Sequence, residues 1–179
     1  MSESAPNPAP SSSVAGPVAW GDPARRAAFE HWLAAIAPRH GLDAATLAPA
    51  SADASFRRYL RVAGARGSHI VMDAPPPQED TRPFVHVAGL LAGAGLHAPR
   101  VLEADAERGF LLLDDLGSEP YLAALQAAQA AGDTARADRL MRDALAALVT
   151  LQRGVPASAL PPFDEALLRR ELELFPTWC

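Results

Sequence analysis

Between Phe56 and Asp73 the chain changes to a period of two. Phe56, Arg58, Leu60 and Val62 alternate with Arg57, Tyr59 and Arg61, the spacing that sends successive side chains to opposite faces of a strand. A further strand is expected over His69–Asp73, stopped by Pro75, Pro76 and Pro77, which cannot donate to a ladder. A short mixed run, Thr46–Ala50, precedes them, and the small residues Ser51, Ala52, Asp53, Ala54 and Ser55 form a tight connection.

Helices bracket these strands. Asp22-Pro23 pairs an N-cap residue with a proline suited to a first helical turn. Phe29, Trp32, Leu33 and Ile36 then recur at three- and four-residue spacing until Gly41. Phe84, Val87, Leu90 and Leu91 mark a second helix ending near Gly95. Val101-Leu102 and Phe110–Leu113, separated by the charged turn 105–109, read as a hairpin. From Pro120 the pattern is helical: an alanine-rich segment over 120–131, a break at Gly132-Asp133, and a long helix over 134–153 striped by Met141, Ala144, Leu145, Leu148 and Leu151. Gly154 stops that helix, and a last one is expected from Asp164 towards Phe175. The closing Thr177-Trp178-Cys179 has no cap and no polar tail, the ending expected of a chain cut within a longer protein.

Composition narrows the functions open to such a chain. Net charge is −5 over 179 residues, which argues against a nucleic-acid partner held by a basic face. All 16 basic residues are arginine, with no lysine. The single Cys179 excludes an intramolecular disulfide and a cysteine-rich zinc site. No two histidines are spaced to share a helix face around a metal. Residues 1–21, rich in Pro, Ser and Ala, are expected to be a disordered tail. They carry no targeting signal, and no stretch approaches the roughly 18 apolar residues of a membrane span. A cytoplasmic protein is the expectation.

The stretches ASADASFRRYLRV (50–62), IVMDAPPPQED (70–80), GFLLLDDLG (109–117) and LPPFDEALLRRELELF (160–175), taken together, resemble the aminoglycoside-phosphotransferase superfamily. Within it they are similar to the bacterial kinases that phosphorylate N-acetylmuramate and N-acetylglucosamine at the anomeric position in cell-wall recycling. The resemblance covers roughly residues 25–179. It implies an α+β fold: a protein-kinase-like small lobe, with a five-stranded antiparallel sheet and one inserted helix over residues 22–117. The first helices of a helical large lobe follow over 118–179. It also implies ATP with Mg2+ as cofactors, an amino sugar as acceptor, and nucleotide bound between two lobes.

On that resemblance, the connection Ser51, Ala52, Asp53, Ala54 and Ser55 lies over the triphosphate. A phosphate-covering turn offers backbone N–H groups and needs small side chains. It holds no glycine, and an ordinary hairpin turn is the competing account. Arg58 shares a face with Phe56, Leu60 and Val62, so its guanidinium needs an anion; a phosphate and a buried carboxylate such as Asp73 are both open. Arg57 and Arg61 are expected to be solvated surface charges. Protein kinases place a lysine on the third strand, paired with a glutamate on the next helix. This chain has Ile70-Val71-Met72-Asp73 there, with Met72 expected against the nucleotide, and the helix offers Val85, His86 and Val87. Either an arginine takes over or metal ions carry the phosphates. Asp73, just before the proline turn, is expected to cap that turn or to orient substrate. Asp114, Asp115 and Leu116 end the fifth strand, where the resemblance implies a hinge whose backbone reads adenine. Asp115-Leu116-Gly117 imitates a metal-binding Asp-Phe-Gly motif, but no catalytic loop precedes it.

Phosphoryl transfer also needs a carboxylate near the acceptor hydroxyl and ligands for the bridging metal. None of the five histidines is followed two residues later by Asp, and the only asparagine is Asn7. No catalytic residue and no metal ligand is therefore assigned within the chain, which is expected to be inert alone. The competing reading is a non-catalytic nucleotide-binding or interaction module. Apolar faces over 120–175 are expected to stay open to self-association.

Overall fold

A computed structural model of the protein describes residues 17–52 and 55–178. Of the expected tail, residues 1–16 lie outside the described residues. Of the rest, Val18 and Trp20 pack against the core. Helix α1 (Pro23–His40) begins on Asp22, whose side chain accepts from the N–H of Ala24, and ends at Gly41 in the left-handed conformation at φ 61°. Its buried residues are Phe29, Trp32, Leu33 and Ile36, the four that the spacing selects.

The sheet contains β1 (Leu42–Ala52), β2 (Arg58–Gly64), β3 (Gly67–Asp73), β4 (Val101–Asp105) and β5 (Phe110–Asp114). Its order is β1-β2-β3-β5-β4, with antiparallel neighbours throughout. Helix α2 (Arg82–Gly93) lies between β3 and β4 in the chain. This is the α+β architecture of a kinase-like small lobe. Strand β1 is longer than the Thr46–Ala50 run suggests, and it takes Ser51 and Ala52 into its ladder opposite Tyr59 and Arg58. Irregular registers between Asp43 and Ala48 and between Pro49 and Ser51 interrupt it. Pro49 is tolerated because β1 is an edge strand.

Two apolar clusters cover the two faces of the sheet. On one, Leu60, Val62, Val71, Phe110 and Leu112 meet Phe29, Trp32, Leu33 and Ile36 of α1. On the other, Met72, Ala74, Leu111 and Leu113 meet Tyr59, Ile70 and Val101 and, from α2, Phe84 and Val85. Aromatic contacts bind the first cluster: Phe29 stands edge-on to Phe110 at 5.5 Å, and Trp20 lies 4.9 Å from Phe29.

The chain divides into two compact units, the first running to Val85 and including Pro99–Leu116, the second formed by His86–Ala98 and the chain from Gly117. The second unit contains α3 (Tyr121–Ala130), α4 (Thr134–Gly154), a 3-10 turn (Ala157–Ala159) and α5 (Glu165–Trp178). Gly132, at φ 66°, separates α3 from α4, and Asp133 caps α4 by accepting from the N–H of Arg136. The Tyr121 hydroxyl donates to the Leu140 carbonyl, which ties α3 to α4. The Met141, Leu145 and Leu148 stripe of α4 lies exposed.

Candidate functional site

Strand register fixes where each candidate residue stands. Ser51 lies opposite Tyr59, Tyr59 opposite Met72, and Met72 opposite Leu111. This row crosses four strands on the face against which Phe84 and Val85 pack. The next row holds Ala52, Arg58, Asp73 and Phe110, and by the pleat the side chains of Arg58, Asp73 and Phe110 belong to the α1 face. Arg58 and Met72 therefore sit on opposite faces of the sheet. Met72 is fully buried within its cluster. Asp53 and Ala54 lie outside the described residues.

Arg58 finds its anion in Asp73. The Arg58 Nε donates to Asp73 Oδ2 at 3.1 Å, and a second guanidinium nitrogen joins the same oxygen. Arg25 of α1 donates to Oδ1 from Nε at 2.9 Å and from Nη2 at 2.5 Å. Asp73 is only 1 % exposed and is the centre of a two-arginine lock, with each carboxylate oxygen accepting from one arginine. Each arginine also stacks on an aromatic ring, Arg25 on Phe110 at 4.0 Å and Arg58 on Trp20 at 4.2 Å. A cleft of about 490 Å3 opens beside this lock, lined by Trp20, Phe56, Pro75, Pro76 and Gln78 among others.

Arg57 and Arg61 are not the solvated charges that alternation suggests. Arg57 Nε donates to Glu79 Oε2 at 2.8 Å. The Glu79 hydrogen bond, with Tyr59 acting in the same direction, raises the Arg57 pKa above its ordinary value against the opposing effect of burial. Arg61 Nε donates to Asp115 Oδ2 at 2.6 Å, and the Ser68 hydroxyl donates to that oxygen at 2.6 Å. Its pKa is likewise raised, chiefly by the Asp115 hydrogen bond. Both arginines are about two-thirds buried because each has a buried carboxylate to meet.

The exit of β5 is held from two sides. Arg100 donates from Nε to Asp114 Oδ2 at 2.5 Å, and its carbonyl accepts the Asp114 N–H at 3.1 Å. Asp115 is taken by Arg61 and Ser68, while Leu116 remains about half exposed. The two carboxylates of this segment are thus both held by arginines. At the other end of the sheet, Ser51, Ser55, Arg57 and Tyr59 line a hollow of about 290 Å3. Sequence reasoning missed Arg25, Glu79 and Arg100, whose partners lie 48, 22 and 14 residues away. Among the described residues no group of three or more His, Cys, Asp or Glu is placed to hold a metal ion. Nor is any helix among them long and apolar enough to cross a membrane.

A five-stranded antiparallel sheet with a helix between β3 and β4 is the fold of a kinase-like small lobe. Residues 46–179 match the model of the phosphotransferase enzyme family, and the chain belongs to that family. It is 58 % identical over 134 residues to an N-acetylmuramate/N-acetylglucosamine kinase of Pseudomonas aeruginosa, covering 75 % of this chain and 38 % of that protein. It is 52 % identical over 137 residues to the Pseudomonas putida kinase of the same name, covering 76 % and 38 %. A Neisseria meningitidis kinase of that name is 37 % identical over 155 residues, covering 86 % and 44 %. The chain thus spans less than half the length of these curated relatives.

Proposed function

We propose that this chain supplies the nucleotide-binding part of an ATP-dependent kinase that phosphorylates N-acetylmuramate and N-acetylglucosamine, in the recycling of cell-wall sugars. The observation that carries the reading is the five-stranded sheet with α2 between β3 and β4, in a chain 58 % identical to a kinase of that name. The backbone of the segment Asp114, Asp115 and Leu116 reads the adenine edge, with the Asp114 N–H kept by the Arg100 carbonyl. The connection from Ser51 through Asp53 and Ala54 to Ser55 covers the phosphates. Asp114 and the row containing Asp73 and Phe110 stand four residues apart along β5, about 13 Å at the rise of a strand. An extended nucleoside triphosphate bridges such a span, with its base at one end and its phosphates at the other.

Mg2+ would join the nucleotide phosphates, where it offsets charge as the phosphoryl group transfers. With ATP as the donor, the reaction belongs in the cytoplasm. The 179 residues contain no His-x-Asp sequence and no asparagine beyond Asn7, so they lack a general base for the sugar hydroxyl and a ligand set for the metal. They are therefore inert alone. Incubating the chain with ATP, Mg2+ and either sugar should yield no sugar phosphate by phosphorus NMR, whereas a protein that continues into a His-x-Asp…Asn segment should yield it. Product from the 179 residues at more than the background rate would overturn this account. A chain that binds ATP but gains no activity from such a segment would support the non-catalytic binding module.

A further inference from the structure

The third strand lacks the lysine that protein kinases use to hold phosphates, and an arginine must be found for that task if metal ions do not carry it alone. The arginines placed near the sheet can be sorted by face and by end. Arg58 and Arg25 are committed to Asp73 on the α1 face. Arg61 and Arg100 are committed to Asp115 and Asp114 where β5 ends. Arg57 differs from all four. It stands one residue before β2, beside Tyr59, and lines the hollow of Ser51 and Ser55. Arg58 lines that hollow too, but its Nε and Nη2 are given to Asp73 and its Nη1 to the Ala19 carbonyl.

Its partner arrives from the segment that leads into α2. Glu79 is nearly buried, at 10 % side-chain exposure, and uses both oxygens: Oε2 accepts from Arg57 Nε at 2.8 Å, and Oε1 accepts the N–H of Phe56 at 3.2 Å. The Glu79 N–H in turn donates to the Pro75 carbonyl at 3.1 Å, which fixes the turn that presents it. The guanidinium is thus held by its Nε edge while about a third of the side chain remains exposed. A guanidinium presents five donors in a planar fork, so its terminal nitrogens can meet phosphate oxygens while Nε stays with the carboxylate.

We propose that Arg57 is the phosphate-binding cation of this site and Glu79 its positioning residue, a pair that takes the place of the kinase lysine and helix glutamate. The assignment rests on the nucleotide-binding reading given above. It moves the cation from β3 to the start of β2, and the carboxylate from α2 to the turn before it, which explains how Met72 can be a buried core residue. The ligand it selects is a nucleoside polyphosphate, with Ser51 and Ser55 adding hydroxyl donors beside the guanidinium.

Equilibrium binding of ATP and of adenosine to the protein as its gene encodes it separates phosphate contacts from base contacts. Arg57→Ala should weaken ATP binding about tenfold or more, the size of a lost charge-assisted hydrogen bond, and leave adenosine binding unchanged. Glu79→Gln, which keeps an acceptor for Phe56, should weaken ATP binding by a smaller factor, again without changing adenosine. Arg57→Lys should recover most of the loss. If Arg57→Ala does not fold, Arg57→Gln is read in the same way. Equal losses for ATP and adenosine, or no loss for ATP, would overturn the assignment while leaving nucleotide binding in place. A wild-type protein that binds neither would overturn the nucleotide-binding reading and this assignment with it.

Discussion

Asp73 shows how a strand can carry a charge into a core. A carboxylate at 1 % exposure is tolerated only when its charge is matched and its lone pairs are filled, and here two guanidiniums do both. Removing the carboxylate leaves two arginines facing each other with no anion between them. Asp73→Ala should therefore destabilise the fold by about 3–5 kcal/mol, as breaking a buried ion pair does, read from urea unfolding followed by tryptophan fluorescence. Arg58→Ala should cost less, because Arg25 still serves Asp73 and because Arg58 is a third exposed. A loss for Asp73→Ala no larger than that for Arg58→Ala would show that the lock is not cooperative. The sequence goes part of the way here. Alternation places Arg58 on an apolar face and demands an anion, with Asp73 among the possibilities. It cannot supply Arg25, because nothing in a local pattern says which helical arginine crosses 48 residues to reach a strand. The same gap explains Arg57 and Arg61: the period gives a face but not the carboxylate waiting there.

Elements with strong periodicity were legible and those without it were not. The spacing of Phe29, Trp32, Leu33 and Ile36, framed by Asp22 and Gly41, describes α1 closely. The run Phe110–Leu113 marks β5, every residue of which before Asp114 is buried. Strand β1 was mostly hidden, because LDAATLAPASA is rich in alanine, carries a proline and has irregular registers, so its residues show neither the composition nor the alternation of a strand. Its pairing with β2 is set by tertiary context rather than by propensity. The candidate site follows the same rule: the exit of β5 could be placed from its strand, whereas the Glu79 contact depends on how a proline-rich turn folds back. The turn between β4 and β5 offers a sharper test of an element. Gly109 has φ 72°, and a Cβ added there would lie 1.9 Å from the Ala74 carbonyl oxygen. Its own carbonyl accepts the Ala74 N–H at 2.9 Å. Gly109→Ala must then both strain the backbone and separate the hairpin from the end of β3. We expect a loss of roughly 2 kcal/mol or more by thermal or urea unfolding, with faster amide exchange at Ala74. A neutral result would mean that the turn can move away from Ala74 without cost.

At the scale of the whole molecule the two units differ in how well they cover their apolar surface. The first buries nearly all of the large residues that its sheet presents. The second leaves Leu122, Met141, Leu145, Leu148, Phe163, Leu168 and Leu172 between 47 % and 67 % exposed, and α4 has no buried residue at all. Single exposed leucines are ordinary, but a stripe at helical spacing on one face is a surface that water disfavours. The chain spans 38 % of the length of two of the kinases it resembles. Alone, the 179 residues should therefore associate through α4 and α5, with a weight-average mass that rises with concentration in sedimentation equilibrium. Replacing Leu145 and Leu148 together by glutamate should return the chain to a monomer, because two charges cannot be buried in such a contact without partners. The same variant should leave the urea transition of the first unit where it was, since neither leucine belongs to that unit. A wild-type chain that stays monomeric across the whole concentration range would show that these faces do not drive association, and would favour a module that stands alone over a part of a larger kinase.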